Sequence, residues 1–201
     1  LIGVMPALAG RFIQLAVSSF LEDHGDVFCS IQARSSQWII DGVVTRRLDL
    51  GLVESGLNHP DLVAEPLMEH EQVCIMPNDH PLTNKEVIKP RDLHDIPFLS
   101  INPDSHPGHE LETQFEKYGI RPKISMIANL MSTLCEMVAA GHGVSLVHPF
   151  LTSGMEHRLT IRKFKPEIPF NVQLCRRSDI RNTQIIDEFA KRLRATSTHI
   201  V

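Results

Sequence analysis

The chain has no apolar run approaching the ~20 residues that a bilayer-spanning helix needs, which excludes a membrane-embedded helix. It lacks a basic excess. Its 20 Lys and Arg face 24 Asp and Glu, giving a net charge of −4 with histidines neutral, and no stretch is dominated by cations. Nucleic-acid affinity draws mostly on phosphate neutralisation, so direct DNA contact by this segment is disfavoured. There is no Cys-x-x-Cys pair. The four cysteines (Cys29, Cys74, Cys135, Cys175) are scattered among apolar neighbours and read as buried free thiols of a reducing cytoplasm. Neither a Gly-x-Ser-x-Gly elbow, a phosphate loop with Lys, nor His-Glu-x-x-His occurs, so catalysis is disfavoured. No repeat, low-complexity stretch or flexible linker is evident. The start, Leu1-Ile2-Gly3, has neither an initiator Met nor the basic-then-apolar pattern of a signal peptide. The expectation is a fragment of a longer protein.

What is present alternates between strand and helix. Leu1–Met5 reads as a buried strand, and Pro6 suits the first turn of a helix running to Asp23, with Leu8, Phe12, Leu15, Ala16, Phe20 and Leu21 on one stripe. Asp26–Ala33 reads as a second strand, Ser35 and Ser36 as caps of a helix to Val44, and Arg47–Val53 as a third strand. This gives a β-α-β-α-β unit with a parallel sheet. Strands Leu62–Leu67 and Glu71–Met76 follow, then a second α/β unit: strand Pro97–Ile101, helix Pro107–Tyr118, strand Lys123–Ile127, helix Leu130–Ala140 and strand Val144–Val147. Gly141 and Gly143 supply the turn between the last two. Strands Leu159–Phe164 and Phe170–Cys175 and a helix Asn182–Ala195 then return to the opening sheet. The fold expected is α/β, with two Rossmann-like lobes joined by two crossover segments near Val73–Pro77 and Ser145–Pro149. Residues 1–74 and 149–201 would form the first lobe and 75–148 the second.

Several phrases, in order and spacing along essentially the whole chain, carry a family resemblance. They are Ile2-Gly-Val-Met-Pro-Ala-Leu-Ala9, Arg47-Leu-Asp-Leu-Gly-Leu52, Glu65-Pro-Leu67, His80-Pro-Leu82, Arg91-Asp-Leu93, Pro97-Phe-Leu-Ser100 and Met137-Val-Ala-Ala-Gly-His-Gly-Val144. The chain resembles the effector-binding domain of LysR-type transcriptional regulators. That resemblance implies a type 2 periplasmic-binding-protein-like fold and an N-terminal DNA-binding domain that is not in this chain. It also implies a cytoplasmic homodimer or homotetramer in which the Ala7–Asp23 helix faces the Leu130–Ala140 helix of another subunit. Gly51-Leu-Val-Glu54 and Val147-His-Pro149 look most like the branch sensing lysine, arginine-derived or opine ligands. His142 between the glycines and His148 before Pro149 depart from the family's usual residues. The alternative from another class is a solute-binding protein of a transport system.

Ligands of parallel α/β sheets sit beyond the carboxyl ends of the strands. That rule selects Met5, Pro6, Ala7, Ser35, Ser36 and Glu54 in the first lobe, and Ser100, Asn102, Asn129, Met131, Ser132 and Pro149 in the second. Several of these open helices, whose free N–H groups favour a carboxylate. Glu54 would meet a ligand ammonium or guanidinium. Ordinary helix capping by the serines and solvation of Glu54 are the competing readings. The expected occupant is a small carboxylate-bearing metabolite in the interlobe cleft. No cofactor is called for. His106 and His109 read as surface residues rather than metal ligands, because no further Cys or His lies near them in sequence.

Overall fold

The computed structural model describes residues 1–179 and 184–198, the side chain of His106 excepted. In chain order the elements are β1 (Ile2–Val4), a 3-10 turn (Pro6–Leu8), α1 (Arg11–Asp23), β2 (Ile31–Ala33), α2 (Ser36–Val44), β3 (Leu50–Glu54), β4 (Leu62–Glu71) and β5 (Val73–Pro77). Then come a 3-10 turn (Pro81–Asn84), β6 (Val87–Ile88), a 3-10 turn (Pro90–Leu93), β7 (Pro97–Ile101), α3 (His106–Lys117), β8 (Lys123–Ala128) and α4 (Met131–Ala139). They are followed by β9 (Ser145–Val147), a 3-10 turn (Pro149–Thr152), β10 (Leu159–Phe164), β11 (Pro169–Arg177) and α5 (Gln184–Ser197). The first two residues of the expected last helix, Asn182 and Thr183, lie outside the described residues.

Two compact units result, residues 1–69 with 170–201 and residues 70–169. The expected divisions at 74/75 and 148/149 are corrected. So is the placing of the crossovers, because β5 and β9 pair antiparallel inside the second unit, Cys74 opposite Leu146. The chain instead changes units at the end of β4 and the start of β11.

In the first unit the sheet order is β2-β1-β3-β11-β4. β1 pairs parallel with β2 and β3, and β11 antiparallel with β3. The expected strand Asp26–Ala33 shrinks to three residues. Val27 N bonds back to His24 O in a turn, and a partner as short as β1 engages only Ile31–Ala33. The expected first helix splits, since Pro6 opens a short 3-10 turn before α1 begins at Arg11. α2 lies close on β1 and β3, and glycines make that approach possible. A Cβ on Gly3 would stand 2.6 Å from Leu48 Cδ1, and one on Gly51 2.4 Å from Ile39 Cγ2. Ile39, Ile40, Val43, Leu48, Val53 and Cys175 fill the space between. α1 packs on α5 through Phe20 and Phe189, edge to face at 5.2 Å, a geometry favoured by the ring quadrupoles.

In the second unit β6-β10-β5-β9 form one sheet and β7-β8 a parallel pair. A bridge between Phe98 and Val144 joins the two, with Leu99 N to Val144 O and Val144 N to Pro97 O both 2.9 Å. Gly143 permits this join. Its φ is +143°, and an added Cβ would lie 2.3 Å from Pro97 O. β10 was expected in the opening sheet. It pairs antiparallel with β5 and parallel with β6 instead, so Leu159–Phe164 belongs to the second unit. All four cysteines are free thiols; Cys74, Cys135 and Cys175 are buried and Cys29 partly so.

Candidate functional site

In the first unit, the residues picked from the strand ends come together. Met5 follows β1, and its N–H donates to Leu52 O on β3 at 3.0 Å. Ser36 opens α2 and accepts from the Glu54 N–H at 3.1 Å, tying the helix start to the end of β3. Ser35 caps α2 by accepting from Trp38 N at 3.4 Å. Pro6 is exposed and Ala7 half-buried in the 3-10 turn. Glu54 is half-buried and lies opposite Val172 in the ladder. The rim therefore presents a carboxylate, two hydroxyls and the first turn of α2. Arg34 was not singled out from the sequence. Its N–H donates to Val4 O at 3.1 Å, and its guanidinium stands 5.7 Å from the Trp38 ring centre. An Arg between a strand end and a Ser cap was the available signal. It adds a cation to this rim.

In the second unit, Asn102 and Asn129 directly follow β7 and β8, and Asn102 Nδ2 donates to Asn129 Oδ1 at 3.1 Å. Asn102 Oδ1 accepts from Asp104 N at 3.0 Å, and Ser105 Oγ both donates to Asn102 O at 2.5 Å and caps α3 by accepting from Gly108 N. Gly108 is required here, because a Cβ would fall 2.1 Å from Asn102 O. Ser132 is exposed in the first turn of α4. Three other expected residues stand apart from this loop pair. Met131 is 7% exposed and packs in the core with Ile75, Leu99, Leu134 and Val147, which suits an apolar side chain under a helix start. Ser100 is buried, donates to Ile101 O, and lines a groove of about 560 Å³ beside Leu111, Phe115 and Ile124. Pro149 opens the 3-10 turn after β9.

His148, flagged in the sequence only as unusual, is 2% exposed and stacks on Phe150 with ring centres 5.6 Å apart. Burial, reinforced by nearby His70, pushes its pKa down to about 3, so it is neutral at physiological pH. Burial also pushes the Cys74 and Cys135 thiols up to about 12, which makes them unreactive as nucleophiles. Among the described residues no three His, Cys, Asp or Glu side chains gather as a metal site.

Strand-end loops opening helices, in each of two open α/β units, define the class of small-molecule-binding domains. The LysR substrate-binding domain model matches residues 1–198, and the chain belongs to that family. It is similar to the transcriptional activator protein LysR of Escherichia coli, 26% identical over 199 residues, covering 96% of this chain and 63% of that protein. It is also similar to the regulatory protein NocR of Agrobacterium tumefaciens, 26% identical over 185 residues, covering 92% and 61%. The chain thus spans about six-tenths of the curated relatives it matches. Solved structures share the fold, HinK and QuiR among them. HinK, a LysR family regulator of Pseudomonas aeruginosa, matches with TM-score 0.81 and 17% identity, covering 98% of this chain and 69% of that one. The effector-binding domain of QuiR, in complex with shikimate, matches with TM-score 0.78 and 19% identity, covering 100% and 97%. The expected periplasmic-binding-protein-like α/β class is therefore that of LysR effector-binding domains. The first of these relatives is a transcriptional activator and HinK a transcriptional regulator, so the comparisons do not favour the transport alternative.

Proposed function

We propose that the chain is the effector-sensing part of a LysR-type transcriptional regulator and that its strand-end loops recognise a small carboxylate-bearing metabolite. The observation carrying this reading is the family match over residues 1–198 together with the two polar rims. Free N–H groups at the starts of α2 and α4, with the Ser36, Asn102 and Asn129 side chains, suit a carboxylate. Glu54 suits an amine or guanidinium, as in an amino acid or opine, and such a charge-assisted bond contributes about 1.5–3 kcal/mol. The QuiR domain's complex with shikimate supports a small-molecule effector. A ligand shifts a regulator only through its differential affinity for two states, a coupling of about 1–3 kcal/mol. In the intact cytoplasmic protein that shift would pass through a homodimer or homotetramer, α1 of one subunit facing α4 of another, to a DNA-binding region outside this chain. Calorimetric titration with lysine, arginine, opines and neutral hydroxy acids tests this. The expected result is saturable binding of at least one carboxylate, weakened by Asn102→Ala, with Glu54→Gln weakening only the cationic ligands. Silence from all four classes overturns the carboxylate reading.

A further inference from the structure

The second unit carries a concentration of positive charge at the end of the β7-β8 pair opposite to Asn102 and Asn129. The segments preceding these strands, Lys89–Leu93 and Tyr118–Pro122, meet the end of β10 around a groove of about 500 Å³. Lys89, Pro90, Arg91, Tyr118, Ile120, Lys165 and Pro166 line it. Secondary structure sets this convergence. Phe164 on β10 lies opposite Ile88 on β6, and Lys165 N donates to Ile88 O at 2.9 Å, which brings Lys165 beside Lys89. Pro90 is buried, and Leu93, Phe115, Phe164 and Ile168 form the apolar core beneath. The cations therefore project from braced backbone rather than from an unsupported loop.

The neighbouring acids leave part of this charge unmatched. Asp92 is held by Lys85 at 2.5 Å and by the Lys89 N–H at 2.9 Å. Lys165 pairs with Glu167 two residues on. Lys89 and Arg91 form no ion pair among the described residues, although the chain as a whole is acidic. A guanidinium offers a planar fork of donors suited to phosphate or carboxylate oxygens, and two ammonium groups beside it add point charge. Ile120 and the Tyr118 ring, 44% exposed with Lys117 Nζ 5.7 Å from its centre, offer apolar surface to the rest of a ligand. We propose that this groove is a second anion-binding site, separate from the strand-end loops, for a small metabolite carrying a phosphoryl or polycarboxylate group. The volume is that of a small-molecule pocket, and the acidic net charge of the chain opposes an extended polyanion such as a duplex.

Calorimetry at low ionic strength on this chain, with pyrophosphate, tricarballylate and a short DNA duplex as probes, tests the site. Pyrophosphate or tricarballylate is expected to bind with one site per chain, and the stronger of them names the anion class. Arg91→Ala and Lys165→Ala should each weaken that binding by about tenfold or more, as expected for a lost charge-assisted hydrogen bond. Lys191→Ala, an exposed cation of the first unit, should leave it unchanged. Arg91 is exposed, so unaltered melting of Arg91→Gln shows that loss of binding is not loss of fold. Asn102→Ala should leave pyrophosphate binding intact, which separates failure of this site from failure of the strand-end loops. The proposal is overturned by absence of binding of both small anions, by binding in Arg91→Ala and Lys165→Ala as tight as in the unaltered chain, or by a duplex that binds more tightly than either and loses affinity with the same substitutions.

Discussion

The two units bury different interiors. Among the described residues, Gln173 is the buried polar side chain of the first unit, and its amide is satisfied by Leu57 O at 2.7 Å. The second unit buries Gln72, Ser100, Ser145, His148 and Thr152. Ser145 Oγ donates to Leu99 O at 2.7 Å and Thr152 Oγ1 to Pro149 O at 2.7 Å. The units also use glycine differently. In the first, Gly3 and Gly51 make room for the tips of Ile39 and Leu48, whereas in the second, Gly143 and Gly108 make room for backbone carbonyls. At these glycines the first unit meets side-chain tips, which yield a little when pressed. The second meets backbone carbonyls there, which do not.

The most direct way to break this contrast is to add the same methyl group to both. Gly143→Ala forces a Cβ at φ +143° to within 2.3 Å of Pro97 O, combining backbone strain with overpacking. A loss of about 3 kcal/mol or more in urea unfolding is expected from those two penalties together. Gly51→Ala meets the Ile39 methyl and the Cys175 Sγ, which can shift, and should cost about 1–3 kcal/mol from overpacking alone. Equal losses in the two variants would erase the distinction between yielding and unyielding obstacles.

Acid is the next lever, and it should act on one unit. His148 has an ordinary pKa of 6.5 when unfolded and about 3 when folded, so between these values the unfolded chain binds more protons. Its contribution to stability is complete above pH 6.5 and is lost as pH falls toward 3. From pH 6.5 to 5 that loss is at most about 2 kcal/mol, from a slope of about 1.4 kcal/mol per pH unit. Burial also lowers His70 and His80, both in the second unit, and acts in the same direction. The depressed carboxyls Asp179 and Asp92 lose their contributions only below about pH 3.8, so the two windows separate. Amide-exchange protection factors, taken against the intrinsic rate at each pH, should therefore fall in residues 70–169 before the first unit as pH drops from 7 to 5, and His148→Asn should flatten the response. A uniform fall in protection across both units would remove the special status of the second interior.

Local structure was largely legible in the chain, and partnership was not. Pro6 marks the first turn after β1, Ser35 caps α2, and the Gly141–Gly143 turn leads into β9, because each signal acts within a few residues. Leu159–Phe164 was legible as a strand, but an apolar run carries no label for the strand it will pair with, and it joined β5 rather than the opening sheet. The unit boundaries moved for the same reason. Of the candidate site, Ser36, Glu54, Asn102 and Asn129 follow from the strand-end rule. Met131 does not, because its side-chain direction depends on which face of α4 meets the core. Burial of His148 was hidden because a His-Pro pair reads alike in a loop or a packed turn.

The smallest expected effect compares the two rims themselves. Ser36→Ala removes one hydroxyl that accepts from the Glu54 N–H, on a half-buried site that water can still reach, so about 0.5–1 kcal/mol of stability should go. Asn102→Ala removes a side chain bonded to both Asn129 and the Asp104 N–H, and should cost about 1–2 kcal/mol, roughly two such bonds. Ligand affinity need not follow that order. The Ser36 hydroxyl already accepts from the Glu54 N–H and has its own proton left to donate, whereas the Asn102–Asn129 amides offer several polar atoms beyond their own contact. Calorimetry on both variants, beside their urea midpoints, should show Asn102→Ala losing more affinity per unit of stability lost. If Ser36→Ala loses more, recognition rests on the α2 end of the first unit, and the unit with fewer buried polar side chains is the one that reads the ligand.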